Sequence, residues 1–370
     1  LSQVERGIRS VDRLSVLLDL AKVLHVDVES LTGAPWQYAP NGGSVPDSLS
    51  DVRRFFSRYD NLLGVSRLEP VSLSQLIASV TAAHEAYQAA RYEDVIAGLP
   101  KLLSDADALH QAARGDERRD ALLGYSSAYA VAAKLLTKVG SGDLALLAAD
   151  RCATAAVEAD SITARGMAAY QVVCALLRSE RPEDAEPLAV QMAQEAQRQA
   201  RPDLPALASV AGSLWLIAAV IASRRTEPAE AWRRLDQAQG LADMLGEDGN
   251  FAWTAFGATN VGIHRVSVAA ELGDPVAALR AAESVELDRL PAGLKSRRAQ
   301  MHLDLAWAET QRKRDADAVL HLLEAERVAP ESVRYNVIVR ELVRAMLTRQ
   351  KRGGRTSALH SLAVRAGVLD

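Results

Sequence analysis

Apolar residues recur at helical spacing from near the start of this chain. Leu14, Leu17, Leu18, Ala21 and Leu24 share one face of a helix that Asp12 would cap. Ahead of it, Val4-Glu5-Arg6-Gly7 reads as a helix end, with Gly7 free to take a left-handed turn. Asp27 would cap a last short helix closing at Gly33. Residues 34–46 then break the pattern with Pro35, Pro40, Asn41, Gly42, Gly43 and Pro46. A helix from Asp47 through Val52, Phe55, Phe56 and Tyr59 follows, so 34–71 is expected to be a linker carrying a connecting helix.

From residue 72 to 370 the pattern is one of paired helices. Alternating Val/Ile/Thr runs and hairpin turns are scarce. A turn signature recurs instead. Arg91-Tyr92-Glu93-Asp94-Val95 is echoed by Arg181-Pro182-Glu183-Asp184-Ala185, with Gly142-Asp143-Leu144-Ala145 between them. Glu227-Pro228-Ala229-Glu230-Ala231, Gly273-Asp274-Pro275-Val276-Ala277 and Arg314-Asp315-Ala316-Asp317-Ala318 come later. Successive turns lie 38 to 52 residues apart. Proline is tolerated there because the first helical turn has no amide partner to lose. Such spacing predicts helix pairs stacked into a right-handed superhelix, with a period above the 34 residues of a standard tetratricopeptide repeat. A seventh pair is expected at 333–347 and 356–364, with Gly353-Gly354 as its turn.

Composition narrows the partners. The 370 residues are 49% hydrophobic and 24% charged, as expected of a folded globular chain. Net charge is −4, so a basic field spread over the whole chain is missing, and any nucleic-acid affinity must come from a local surface. Cys152 and Cys174 lack metal-ligand spacing and are expected to be buried free thiols in a reducing cytoplasm. Residues 204–223 carry no charge, but Ser209, Gly212 and Ser213 interrupt them, and Arg224 and Arg225 follow at once. A central buried helix is expected there, not a membrane span.

The stretch Leu1-Ser2-Gln3-Val4-Glu5-Arg6-Gly7-Ile8-Arg9, with the helices that follow it to Gly33, resembles the second half of a helix-turn-helix domain of the Cro/C1 (xenobiotic-response-element) family. Phe256-Gly257-Ala258-Thr259-Asn260-Val261-Gly262-Ile263-His264-Arg265 and Leu322-Leu323-Glu324-Ala325-Glu326-Arg327-Val328-Ala329-Pro330 are similar to actinobacterial helix-turn-helix regulators with a tetratricopeptide-like C-terminal region. The chain departs from that pattern at Ala258, often Pro, and at Asn336, which often precedes Pro. The resemblance implies an all-α chain: a partial helix-turn-helix remnant in 1–33, then a tetratricopeptide-like α-solenoid. It implies a cytoplasmic homodimer that reads double-stranded DNA, each recognition helix lying in the major groove. Ser2 and Gln3 would lie near base edges and Arg6 and Arg9 near phosphates, although 1–33 holds four Lys/Arg against five Asp/Glu. Leu1 falls inside the expected recognition helix, so the two preceding helices are not in this sequence.

A superhelix offers a concave groove for an effector, a peptide or a small molecule. Phe256, Asn260 and His264 are four apart and share one helical face. An asparagine both donates and accepts, so Asn260 could clamp a peptide backbone, as groove asparagines do in related Gram-positive peptide sensors. His302, and Tyr335, Asn336 and Arg340 in the last pair, would line the same groove, while Trp215 is expected in the core.

Catalytic signatures are missing. His84-Glu85 begins like a zinc-protease helix, but Gln88 stands where the second ligand would be. No phosphate-cradling glycine loop, Gly-x-Ser-x-Gly or Cys-x-x-Cys occurs. The chain is expected to be no enzyme and to need no cofactor. The basic run from Arg340 to Arg355 reads as a solvated helix end. The alternative function is a protein-interaction scaffold that does not bind DNA.

Overall fold

The structure, a computed structural model, describes residues 47–58, 69–350 and 357–369. The segment 1–33 with Ser2, Gln3, Arg6 and Arg9, most of the linker, and the expected Gly353-Gly354 turn lie outside the described residues. Among those described there are sixteen α-helices and no strand.

The chain runs α1 (Asp47–Phe56), α2 (Leu73–Gln88), α3 (Tyr92–Ala112), α4 (Glu117–Lys138), α5 (Gly142–Glu158) and α6 (Ile162–Arg178). It continues α7 (Pro182–Gln199), α8 (Pro205–Arg224), α9 (Pro228–Leu245), α10 (Ala258–Glu271) and α11 (Pro275–Ala282). It ends α12 (Lys295–Gln311), α13 (Asp315–Val328), α14 (Pro330–Arg334), α15 (Val337–Arg349) and α16 (Ser357–Arg365).

All six recurring turns of the sequence fall between helices, and they share one backbone form. Ala90, Gly140, Glu180, Thr226, Gly273 and Lys313 take left-handed φ values of 48° to 83° with Asp160, each two residues before a helix begins. In each of the six, the next amide reaches back to a carbonyl five residues earlier, as Arg91 N does to Ala86 O at 2.9 Å and Asp274 N to Ala269 O at 3.0 Å. This closure satisfies carbonyls that the preceding helix leaves open. Only two of the six are glycine, so the bond pattern, not residue type, fixes the turn. Prolines 182, 228 and 275 then open the next helix where no amide is needed.

From α2 to α14 each helix packs on its successor, and α2, α4, α6, α8, α10 and α12 also pack each on the next of that series. The series closes, because α12 touches α2. These six helices form an inner ring, and α3, α5, α7, α9, α11 and α13 back it from outside. Side chains seal the junction. Tyr92 Oη and Ser332 Oγ are 3.1 Å apart, Arg334 pairs with Glu93 at 2.6 Å, and the Tyr92 and Tyr335 rings meet edge-on. One apolar cluster accordingly joins Leu49 and Val52 to Leu359 and Leu362.

Small residues allow the inner helices to approach closely. A Cβ at Gly166 would lie 2.4 Å from Val210 Cγ1, and one at Gly212 would lie 1.9 Å from Phe256 Cζ. Helix α8 sits at the centre of this packing. It is long and apolar enough to cross a membrane, but 83% of its most apolar window is buried inside the fold. It is a core helix here, as expected from its broken polarity.

The seventh pair differs from expectation. The helix expected at 333–347 begins at Val337, because the Asn336 side chain accepts from the amides of Ile338 (2.9 Å) and Val339 (3.4 Å) and caps it. Val333 belongs to the short α14 that seals the ring.

Candidate functional site

Inside the inner ring lies a partly open cavity of about 170 Å³. Four inner helices contribute walls at helical spacing. Lys134, Thr137 and Lys138 come from α4, Met167, Tyr170, Gln171 and Cys174 from α6, Val210 and Ser213 from α8, and Ser296, Arg297 and Gln300 from α12. Tyr87 and Gln88 end α2, Tyr92 begins α3, and Trp253, Thr254 and Ala255 come from the α9–α10 connection.

That connection is held across the ring. Gln88 and Asn250 exchange side-chain amide bonds, each 2.7 Å, and Gln88 also donates to the Trp253 carbonyl at 3.2 Å. The Trp253 ring stacks on His84, with centroids 4.7 Å apart and planes 3° from parallel. Ala252, Trp253 and Ala255 all hold left-handed φ values of 49° to 58°. For non-glycine residues this conformation costs on the order of 1–3 kcal/mol each and persists only where surroundings impose it.

The cavity wall is electropositive. Lys134, Lys138 and Arg297 line it, and no Asp or Glu does. Burial, and next the Arg297 charge, lower the Lys134 ammonium to about 7. Its Nζ lies 3.2 Å from His84 Nδ1 and over the Tyr87 ring. Burial, then Lys134, hold His84 well below its usual range, so its neutral ring accepts at Nδ1 and donates from Nε2 to Ser127 Oγ at 3.1 Å. Burial pushes the Cys174 thiol to about 11 and the Tyr170 phenol to about 12, so both stay protonated. Cys152 is a buried free thiol, as expected, whereas Cys174 is free but only half-buried, because it lines the cavity. A buried acid, Asp304, lies two turns along α12 from Arg297 and feels its charge. It accepts from Ser267 Oγ and from Gln300 Nε2, and burial raises it to about 7.

None of the seven residues expected in a groove lines this cavity. Phe256 is fully buried against Gly212 and has no open face to present. Asn260 is buried, with its Oδ1 unpartnered, and its backbone carbonyl accepts from His264 Nδ1 at 2.8 Å. Burial, then Arg297, lower His264 to about 3. His302 faces His321 of α13, ring centroids 5.8 Å apart. Tyr335 packs on Tyr92 and donates to Glu93 at 3.3 Å. Asn336 is the α15 cap, and Arg340 is buried, donating to the carbonyls of Ala366 and Arg334. The three C-terminal residues close the ring or hold its last helices and do not face its interior. Trp215 is in the core as expected, its Nε1 donating to Gln197 Oε1 at 2.6 Å.

The sequence did carry a signal for the cavity. Lys134 is the only charge between Ala121 and Thr137, and Met167, Tyr170, Gln171 and Cys174 follow 3, 4 and 7 spacing in a helix with no charge between Arg165 and Arg178. Among the described residues no His/Cys/Asp/Glu group is arranged to hold a metal ion. Comparison of the chain with family models, with curated proteins and with solved structures returned no match.

Proposed function

We propose that this chain is the sensing part of a dimeric DNA-binding regulator. In this reading residues 1–33 are the second half of a helix-turn-helix domain, and residues 72–370 are a tetratricopeptide-like solenoid whose interior takes an effector. The observation that carries it is the double role of α4. One end of that helix supplies Lys134, Thr137 and Lys138 to the cavity. Five residues before Lys134, Tyr129 meets Phe56 of α1 edge-on at 6.3 Å. Arg151 of α5 lies over the Phe56 ring at 5.2 Å and donates to Tyr129 Oη at 3.1 Å, and Tyr129 donates to Asp107 at 2.9 Å. Helix α1 is the element that follows the candidate DNA-binding segment. A shift of α4 on ligand binding therefore bears on the anchor of that segment. An effector needs only about 1–3 kcal/mol of differential affinity for two arrangements to change operator affinity roughly 5- to 150-fold.

The scaffold alternative requires an open concave face for a partner protein. The α12–α2 closure and the Gln88–Asn250 link across the ring weigh against it. The test is selection from random duplex DNA by the protein carrying its native upstream residues. A palindromic site with half-sites one helical turn apart is the expected result. Absence of any enriched sequence would return the chain to the scaffold reading.

A further inference from the structure

We propose that the interior cavity binds a small organic anion, a carboxylate or phosphate carried on a flat apolar body about the size of a benzene ring. This deepens the reading of the ring as a sensor and rests on it only for the consequence of binding, not for binding itself.

Charge is the first argument. Lys134, Lys138 and Arg297 line one cavity whose wall has no acidic residue. Among the described residues, neither Lys134 nor Arg297 has a carboxylate within ion-pair distance; Lys134 has only the neutral His84 ring and the Tyr87 face. The Arg297 charge also acts on Tyr87, Tyr92, Tyr170 and Lys134, which places the guanidinium among the aromatic walls. Lys134 and Arg297 are both half-buried, with the Tyr170 hydroxyl beside Arg297, and a cation partly withdrawn from water without a carboxylate favours an anionic ligand. A guanidinium beside an ammonium suits a carboxylate or phosphate, to which Arg can donate two parallel bonds.

Unmade hydrogen bonds are the second, independent argument. Ser213 is 6% exposed, lines the cavity, and its Oγ has no partner. Thr137 Oγ1, on the α4 wall, is likewise buried and unpartnered. Gln171 is 2% exposed and lines the same space. Buried polar groups of folded proteins are nearly always satisfied, so each such group needs an explanation. Two such groups, on α4 and α8, in a cavity that three cations line, match acceptor sites of an oxyanion.

Size and shape restrict the rest of the molecule. A cavity of about 150 Å³ holds one benzene molecule, and this one is about 170 Å³. Tyr87, Tyr170, Met167 and Trp253 give it flat or polarisable sides.

The test uses the full chain and calorimetric titration with benzoate, phenyl phosphate and inorganic phosphate, beside neutral benzamide. Benzoate or phenyl phosphate should bind at least tenfold more tightly than benzamide, and the stronger of the two identifies the headgroup. Inorganic phosphate binding as well as phenyl phosphate would remove the apolar body from the proposal. Arg297→Gln and Lys134→Met should each weaken the anion at least tenfold, about 1.4 kcal/mol. Both variants should melt at or above the wild-type temperature without ligand, because each removes an uncompensated charge. Benzamide binding as tightly as benzoate, neither anion binding at or below about 1 mM, or undiminished anion binding in both variants overturns the proposal. A fall in melting temperature for both variants would assign the two cations to the fold and also overturn it. Titration needs no DNA, so anion binding without an operator refutes the regulator alone, and an operator without anion binding refutes only the ligand class.

Discussion

Replacing Gly212 with alanine adds one methyl group where helix α8 has none to spare. The new Cβ would stand 1.9, 2.2 and 2.5 Å from Cζ, Cε2 and Cε1 of Phe256, a fully buried ring. Carbon atoms in contact normally stay about 3.5–4.0 Å apart, so ring or helix must move by well over 1 Å. The ring has little freedom. The next residue, Gly257, is held against Asp248, since a Cβ there would lie 2.6 Å from the Asp248 Cα. Asp248 in turn accepts from the Thr259 amide and hydroxyl. Alanine is favoured over glycine within a helix by about 1 kcal/mol, while overpacking a tight core costs about 1–3 kcal/mol and occasionally more. Net destabilisation of about 2 kcal/mol is expected. Phe256→Ala alone should cost about 3–5 kcal/mol through the void it leaves. The double variant removes the clash and partly fills the void, so it should be more stable than the sum of single effects by about 2 kcal/mol. Urea unfolding of all four proteins, followed by circular dichroism and tryptophan fluorescence together, measures this. A Gly212→Ala protein as stable as wild type, or strictly additive effects, would refute the placement of Phe256 in the core and reopen the groove face it was expected to supply.

Other substitutions test other joints. Lys134→Met should stabilise the protein most at pH 7 and below, by an amount bounded at about 5 kcal/mol and reduced by whatever water the cavity holds. The folded-state value is about 7 against 10.5 in the unfolded chain. The unfolded state therefore binds more protons between those values, wild-type stability gains with rising pH there, and the advantage of the variant should shrink toward pH 10.5. His84, Arg297, Tyr87, Cys152 and Cys174 are the groups around this ammonium, and a melting-temperature difference independent of pH would contradict its burial as a cation. Arg234→Ala should cost about 3–5 kcal/mol in denaturant unfolding, because Glu186 and Glu230 and the Ala218 carbonyl lose a buried guanidinium at 2.6–2.7 Å; a loss below 1 kcal/mol would mean the site is wet. Asn336→Ala should cost about 1 kcal/mol, the worth of a helix cap, and leave benzoate affinity unchanged in titration; weakened binding would restore Asn336 to the ligand site. Tyr92→Phe removes the bond to Ser332 and should raise amide exchange in α3 and α14 together, whereas a change in α3 alone would argue against the ring closure.

The helices were legible because their ends repeat. Charged or proline-bearing starts at 92, 142, 182, 228, 275 and 315 marked the same step each time, and a missing amide partner is a local matter. The left-handed residues before those starts were less legible, since Ala90, Glu180, Thr226 and Lys313 are not turn formers by type. Their conformation comes from carbonyls of the helix they end. The spacing of Phe256, Asn260 and His264 did identify one helical face. It could not say which of two buried surfaces that face meets, and α10 lies between α8 and α12, so the face meets packed helix. Asn336 had a cap's chemistry and stood before the Val-Ile-Val start of α15, yet an amide in an apolar context reads equally as a ligand clamp until the helix boundary is known. Ring closure was the least legible feature, because Tyr92 and Ser332 are 240 residues apart and no local pattern links them. Closure decides the site: an open superhelix would leave Lys134 and Arg297 solvated on a concave wall, where a cation needs no partner. Bringing α12 against α2 turns the same two side chains into neighbours inside one cavity without a counter-charge. The chemistry of the cavity is thus set by a contact between α2 and α12, more than 200 residues apart, and most residues that express it sit on inner helices, whereas the starts the sequence marked belong to the outer ones.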